Sequence, residues 1–142
     1  MTESKNSFEL FKRLNYSEIY DRKKRPIIVA DDIRTPENMG AIIRLAGNIG
    51  ALKVIFISDL ATDFKSHKIK KTASGAAEKI EWVMVDSFEE AKKLIPNSYN
   101  LVAIETSYDS KNIFMSKLAA EIAFIVGNEV KGIRNEIINE IE

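Results

Sequence analysis

Five short runs dominated by apolar residues are spread along the chain: PIIVA (26–30), LKVIFIS (52–58), EWVMV (81–85), YNLVAIET (99–106) and EIAFIVG (121–127). A strand with one wetted face alternates apolar and polar residues, whereas a strand covered on both faces does not. These runs are separated by helical periodicities and polar turns. The pattern predicts an α/β fold, a mostly parallel sheet with helices on both faces. Ligands in such sheets bind outside the carboxyl ends of the strands. The residues just after Ala30, Ser58, Val85, Glu105 and Val126 are therefore the first candidates for chemistry.

With 142 residues, the chain is one principal domain, expected over 26–142. Residues 1–25 read as an N-terminal extension, a short helix with Phe8, Phe11, Leu14 and Ile19 on one face, then the basic connector DRKKR. The apolar share of 45%, charged share of 30% and zero net charge are those of a globular protein without a global field for nucleic acid. Any such binding would rest on local patches. The absence of cysteine removes disulfide and thiolate chemistry. No apolar run reaches membrane-spanning length and the N-terminus lacks a signal-peptide core, so a cytoplasmic protein without a membrane partner is expected.

The stretch RTPENMGAIIRLAGNIG (34–50) predicts a helix, with Thr35 as N-cap, Pro36 in the first turn and Glu37 at the positive end of the dipole. Met39, Ile42, Ile43, Ala46 and Ile49 make the apolar face, while Gly40, Arg44 and Gly47 fall on roughly the opposite one. Each glycine weakens a helix by about 1 kcal/mol relative to alanine. One reading is a capped helix whose arginine points to water. The sharper one is that bare flanks let a bulky planar or anionic partner reach Arg44, whose fork suits bidentate phosphate contact. SFEEAKKLI (87–95) predicts a second helix with a Ser87–Glu90 capping box, and IRNEIINEIE predicts a closing one. TDFKSHKIKKTASGAAEKI (62–80) is basic and irregular, with room for one short helix.

The glycines of GNEVKG (127–132) permit a tight turn with backbone N–H groups open to a ligand, but an ordinary strand-to-helix turn has the same composition. No G-x-G-x-x-G opens a helix after the first strand, and no Walker A loop is present. Lys65, Lys68, Lys70 and Lys71 form either a solvated face or phosphate contacts, and with Arg22–Arg25 they could make a basic rim. His67, the single histidine, has no visible metal partner, and no metal site is expected. Asp31 and Asp32 leave open a rival, a receiver domain holding magnesium, with Asp59 and Lys131 as its crude complement.

Three segments in order carry a specific likeness. NMGAIIRLAGNIGALKVIF, KKTASGAAE and FIVGNEVKGI resemble the first motif, the K-T-S-x-G-A segment and the second motif of the SpoU-type (TrmH-like) RNA ribose methyltransferases of the SPOUT superfamily. The resemblance implies S-adenosylmethionine as methyl donor, a 2′-hydroxyl of tRNA or rRNA as acceptor, a homodimer, and a C-terminal trefoil knot. By position it implies catalytic roles for Arg44, Asn38 and Glu129. It places cofactor contacts at Glu105, Thr106, Gly127 and Asn128, and RNA contacts at Arg44, Lys68, Lys70 and Lys71. The family's third motif follows a sixth strand, and this sequence ends at Glu142 before such a segment. The expectation is thus a C-terminally truncated domain whose knot is incomplete. The competing expectation is a dimeric RNA-binding module without turnover.

Overall fold

The computed structural model describes residues 24–59 and 66–141. The expected N-terminal helix, most of the DRKKR connector and Lys65 lie outside the described residues. Each of the five apolar runs contains a strand: β1 (Ile27–Asp31), β2 (Lys53–Ile57), β3 (Glu81–Val85), β4 (Asn100–Ala103) and β5 (Ile122–Val126). All are parallel, in the order β3-β2-β1-β5-β4. Val29 on central β1 faces Ile55 on one side and Ile125 on the other.

Successive strand residues point to opposite faces of a sheet. Ile27, Val29, Ile55, Ile57 and Ile125 pack on one face with Phe88, Ala91 and Ile137. Ile28, Ala30, Val54 and Phe56 pack on the other with Met39, Ile43, Ala46 and Ile69. Both faces are covered, which is why the central runs do not alternate. The covering helices are α1 (Pro36–Ile49) and α2 (Ser66–Ala73) on the second face, and α3 (Phe88–Lys93) and α4 (Asn135–Ile141) on the first.

The ends of α1 follow from its sequence. Thr35 Oγ1 accepts the Asn38 N–H at 3.3 Å, and Pro36 occupies the first turn. The helix stops at Gly50, whose left-handed φ of 68° suits glycine. Arg25 donates to the carbonyls of Gly50 and Ala51 at 2.7 and 2.9 Å, just beyond the helix end. In α3, Ser87 accepts the Glu90 N–H at 3.2 Å, while the Glu90 carboxylate pairs with Lys93 at 2.6 Å.

Neither of the α1 glycines leaves a bare flank. Gly40 and Gly47 are buried. A Cβ built on Gly40 would lie 2.5 Å from Thr72 Cβ and 2.9 Å from both Ala73 N and Ile69 O. That glycine lets the α2 backbone reach α1, so it gives no access to an outside partner at that point. The buried side of α1 is accordingly Met39, Gly40, Ile43, Ala46 and Gly47. Ile42 is half-buried, and Leu45 and Ile49 are exposed.

Gly40→Ala separates the two accounts. On an open face, alanine would stabilise by about 1 kcal/mol. Here the contact with α2 must open, an overpacking cost of about 1–3 kcal/mol. The expected result is a lower urea midpoint for Gly40→Ala.

Candidate active site

Three chain segments meet at the carboxyl edge of β1, β5 and β4. The first is the end of β1. Asp31 has no solvent exposure, and an unpaired charge there would be costly. Arg134, just before α4, meets it with its Nε at 2.9 Å, its Nη2 at 2.6 Å and its backbone N–H at 3.0 Å. Both carboxylate oxygens are thereby engaged, which overturns the magnesium reading of this position. Asp32 adopts a positive φ of 55° and pairs with Arg34 at 2.9 Å; Arg34 also approaches Asp59 at 3.6 Å. Among the described residues no group of three or more His, Asp or Glu side chains could hold a metal.

The second segment is the turn 127–133 between β5 and α4. Asn128 organises it: Oδ1 accepts the N–H groups of Val130 and Lys131 at 2.9 and 3.0 Å, and Nδ2 donates to the Asp32 carbonyl at 2.9 Å. The backbones of Asn128 and Gly132 bond to each other in both directions. A Cβ on Gly127 would lie 2.3 Å from the Gly132 carbonyl carbon and the Ile133 nitrogen. The first glycine of this motif therefore serves the turn's contact with itself. At the top of α1, Asn38 Nδ2 donates to Glu129 Oε1, joining the first motif to the second.

The third segment follows β4. Glu105 Oε2 accepts the Ile133 N–H at 3.0 Å, and Oε1 accepts the Thr106 N–H at 2.9 Å. These two N–H groups, Ile133 foremost, hold the Glu105 carboxyl below the usual carboxylate range. Beside it an open cleft of about 840 Å³ is lined by Thr106, Ser107, Tyr108, Ser110, Lys111 and Asn112.

The expected site residues are thus distributed over two neighbourhoods. Asn38, Glu129, Gly127, Asn128, Glu105 and Thr106 meet at the sheet edge. Arg44 lies one turn beyond Gly40 on the α2 side of α1 and is exposed, with no ion pair among the described residues. Lys68, Lys70 and Lys71 are exposed on α2, the helix that packs against Gly40. Arg134 was not among the candidates. Its only signal was a charged residue following a turn whose neighbouring strand ends in a buried aspartate.

A second concavity, about 530 Å³, runs between α1 and the β5–β4 side of the sheet, with Asn38, Ile42, Leu45, Ile104, Phe124 and Glu129 in its lining. Leu45 and Ile104 are 53% and 49% exposed there, a large apolar surface for a single chain.

The structure of the A. aeolicus TrmH/SpoU tRNA modifying enzyme superposes with a TM-score of 0.72 at 23% identity, covering 96% of this chain and 68% of that one. The SpoU methyltransferase AviRb from Streptomyces viridochromogenes, in complex with AdoMet, gives 0.73 at 20% identity, covering 90% and 50%. The fold is therefore that of the SpoU methyltransferases. The SpoU rRNA Methylase family model matches residues 25–142, and the chain belongs to that family. The 23S rRNA (guanosine-2'-O-)-methyltransferase RlmB of Haemophilus influenzae is 30% identical over 119 residues, 82% of this chain and 48% of that protein. Its counterpart in Pseudomonas putida is 28% identical over 128 residues, 89% and 51% respectively. The chain spans about half the length of the curated relatives it matches.

Removing Arg134 tests the anchor at β1. Arg134→Met leaves the Asp31 carboxylate buried and short of partners, at an expected cost of about 3 kcal/mol in urea unfolding. In a double-mutant cycle, Asp31→Asn combined with Arg134→Met recovers part of that loss.

Proposed function

We propose that this protein transfers a methyl group from S-adenosylmethionine to a ribose 2′-hydroxyl in tRNA or rRNA, as a cytoplasmic homodimer. Membership of the SpoU family supports the reaction class. The observation that carries the reading is the Asn38–Glu129 hydrogen bond, which brings the two motifs together at the sheet edge. The superfamily's trefoil knot belongs to the same proposal.

The residues fit the cofactor in size and chemistry. Clefts of about 300–1,000 Å³ suit such ligands, and this one offers hydroxyls from Thr106, Ser107 and Ser110 beside the exposed Tyr108 ring. The backbone around Glu105, Thr106, Gly127 and Asn128 holds the adenosine portion. S-adenosylmethionine supplies, when bound, an electrophilic methyl group on a sulfonium.

The protein's task is alignment of the ribose oxygen and stabilisation of the charge that grows on it. Arg44 grips the RNA phosphate next to the target ribose and stabilises that charge. A guanidinium is permanently protonated, so Arg44 is not a simple base. Its exposure and lack of an ion pair among the described residues support a role toward an outside anion. Lys68, Lys70 and Lys71 on the adjoining helix extend the cationic surface along the RNA backbone. Asn38 and Glu129 fix the turn against α1. The second copy covers the apolar groove at Ile42, Leu45, Ile104 and Phe124.

Arg44→Ala is expected to lower methyl transfer to RNA about 100-fold or more, measured with radiolabelled S-adenosylmethionine, while cofactor affinity by calorimetry stays unchanged. Loss of cofactor binding with normal turnover per bound complex overturns the assigned role. RNA binding without turnover by the wild-type protein favours the module instead. Leu45→Lys is expected to shift the protein from dimer to monomer in sedimentation velocity, because a charge then enters the apolar groove.

A further inference from the structure

The Glu105 carboxylate lies beside the cleft, where a direct contact with the cofactor is the obvious assignment. Its geometry points elsewhere. Both oxygens are committed to backbone N–H groups, one of them on Ile133, at the far end of the 127–133 turn. The carboxylate also occupies space that only a glycine leaves open. A Cβ on Gly132 would lie 2.4 Å from Glu105 Oε2, and Gly132 has a φ of +72°. Gly132 thus answers two demands, the left-handed backbone and the passage of a carboxylate from the neighbouring strand.

β5 lies between β1 and β4. The turn that leaves it is held from the β1 side by Asn128 on the Asp32 carbonyl and by Arg134 on Asp31. From the β4 side, Glu105 holds it through the Ile133 N–H. Without Glu105 the turn keeps its tethers to the end of β1 and to Asn38 on α1, and loses its connection to the strand whose end forms the cleft wall. A carboxylate–amide bond is stronger than a neutral one, so one side chain suffices for this connection.

We infer that Glu105 is a positioning residue: its carboxylate locks the Gly127–Ile133 turn to the end of β4 and so presets the backbone at the edge of the cleft that takes the cofactor's adenosine portion. The inference rests on the proposed methyl transfer for its consequence and on the hydrogen bond for its geometry. Backbone preorganised in this way lowers the ordering cost of binding. Loss of the brace weakens cofactor binding and leaves the chemical step at bound complexes nearly as before.

Two measurements test this on the wild-type protein, Glu105→Ala and Glu105→Gln. Amide hydrogen exchange at Ile133 reads the brace without cofactor. It is expected to accelerate about 10- to 100-fold in Glu105→Ala, the span of one lost charge-assisted bond. Glu105→Gln, which keeps one acceptor oxygen, restores most of the protection. Steady-state methyl transfer is expected to show KM for S-adenosylmethionine raised about tenfold in Glu105→Ala, with kcat within twofold. Unchanged exchange at Ile133 overturns the brace. Faster exchange with unchanged KM overturns its bearing on the cofactor. A kcat collapse at unchanged KM also overturns it, since that marks Glu105 as acting in the chemistry. If the wild-type protein transfers no methyl group, the functional reading fails, and the exchange data then judge the brace alone.

Discussion

A carboxylate with no exposure ends the central strand of the sheet, and most of the site follows from how that charge is satisfied. Burying Asp31 without a partner would be costly. Arg134 meets it through the guanidinium and through its own backbone N–H, so the partner is fixed in orientation as well as in charge. That fixes where α4 begins and where the turn before it must run. Asn128 then finds the Asp32 carbonyl, Glu129 finds Asn38 on α1, and Ile133 finds Glu105 after β4. Three stretches distant in sequence, 31–38, Glu105 and 127–134, are drawn to one edge by hydrogen bonds whose geometry starts from one ion pair.

The strands and the main helix were legible because their signals are local. Buried strands must be apolar on both faces, and Thr35 and Pro36 mark α1 at its observed start. The likeness between GNEVKG and the family's second motif singled out Glu129 and Asn128, which the structure brings to the sheet edge, although it said nothing of how they are held. What the sequence hid was tertiary. Gly40 read as an open flank because helical spacing reports the face of a helix and not what packs on it; α2 was the missing knowledge. The same blindness misassigned Ile49 and passed over Leu45, which face the groove beside the sheet. Arg134 carried no pattern of its own, since its meaning depends on an aspartate at the end of another strand.

Glycine has three physical uses in this small region, which composition alone would merge. Gly40 admits a neighbouring helix, Gly127 admits the return of its own turn, and Gly132 combines a left-handed backbone with room for a carboxylate. The motif G-x-x-x-x-G is therefore two unrelated packing demands at a fixed distance. A motif spacing of this kind is a record of contacts, and each position has its own reason.

The strand order β3-β2-β1-β5-β4 has a consequence for how the chain is made. During synthesis, β1, β2 and β3 can pair soon after they emerge, and α1 and α2 can cover one of their faces. The other side of β1 stays unzipped until residues 122–126 have left the ribosome. Over that interval the nascent half-sheet ends in Asp31, whose countercharge at position 134 does not yet exist. An ionised group at such an unfinished rim keeps water there and disfavours premature docking of another chain. The pair that organises the finished molecule thus begins as a hydrophilic guard on the growing one.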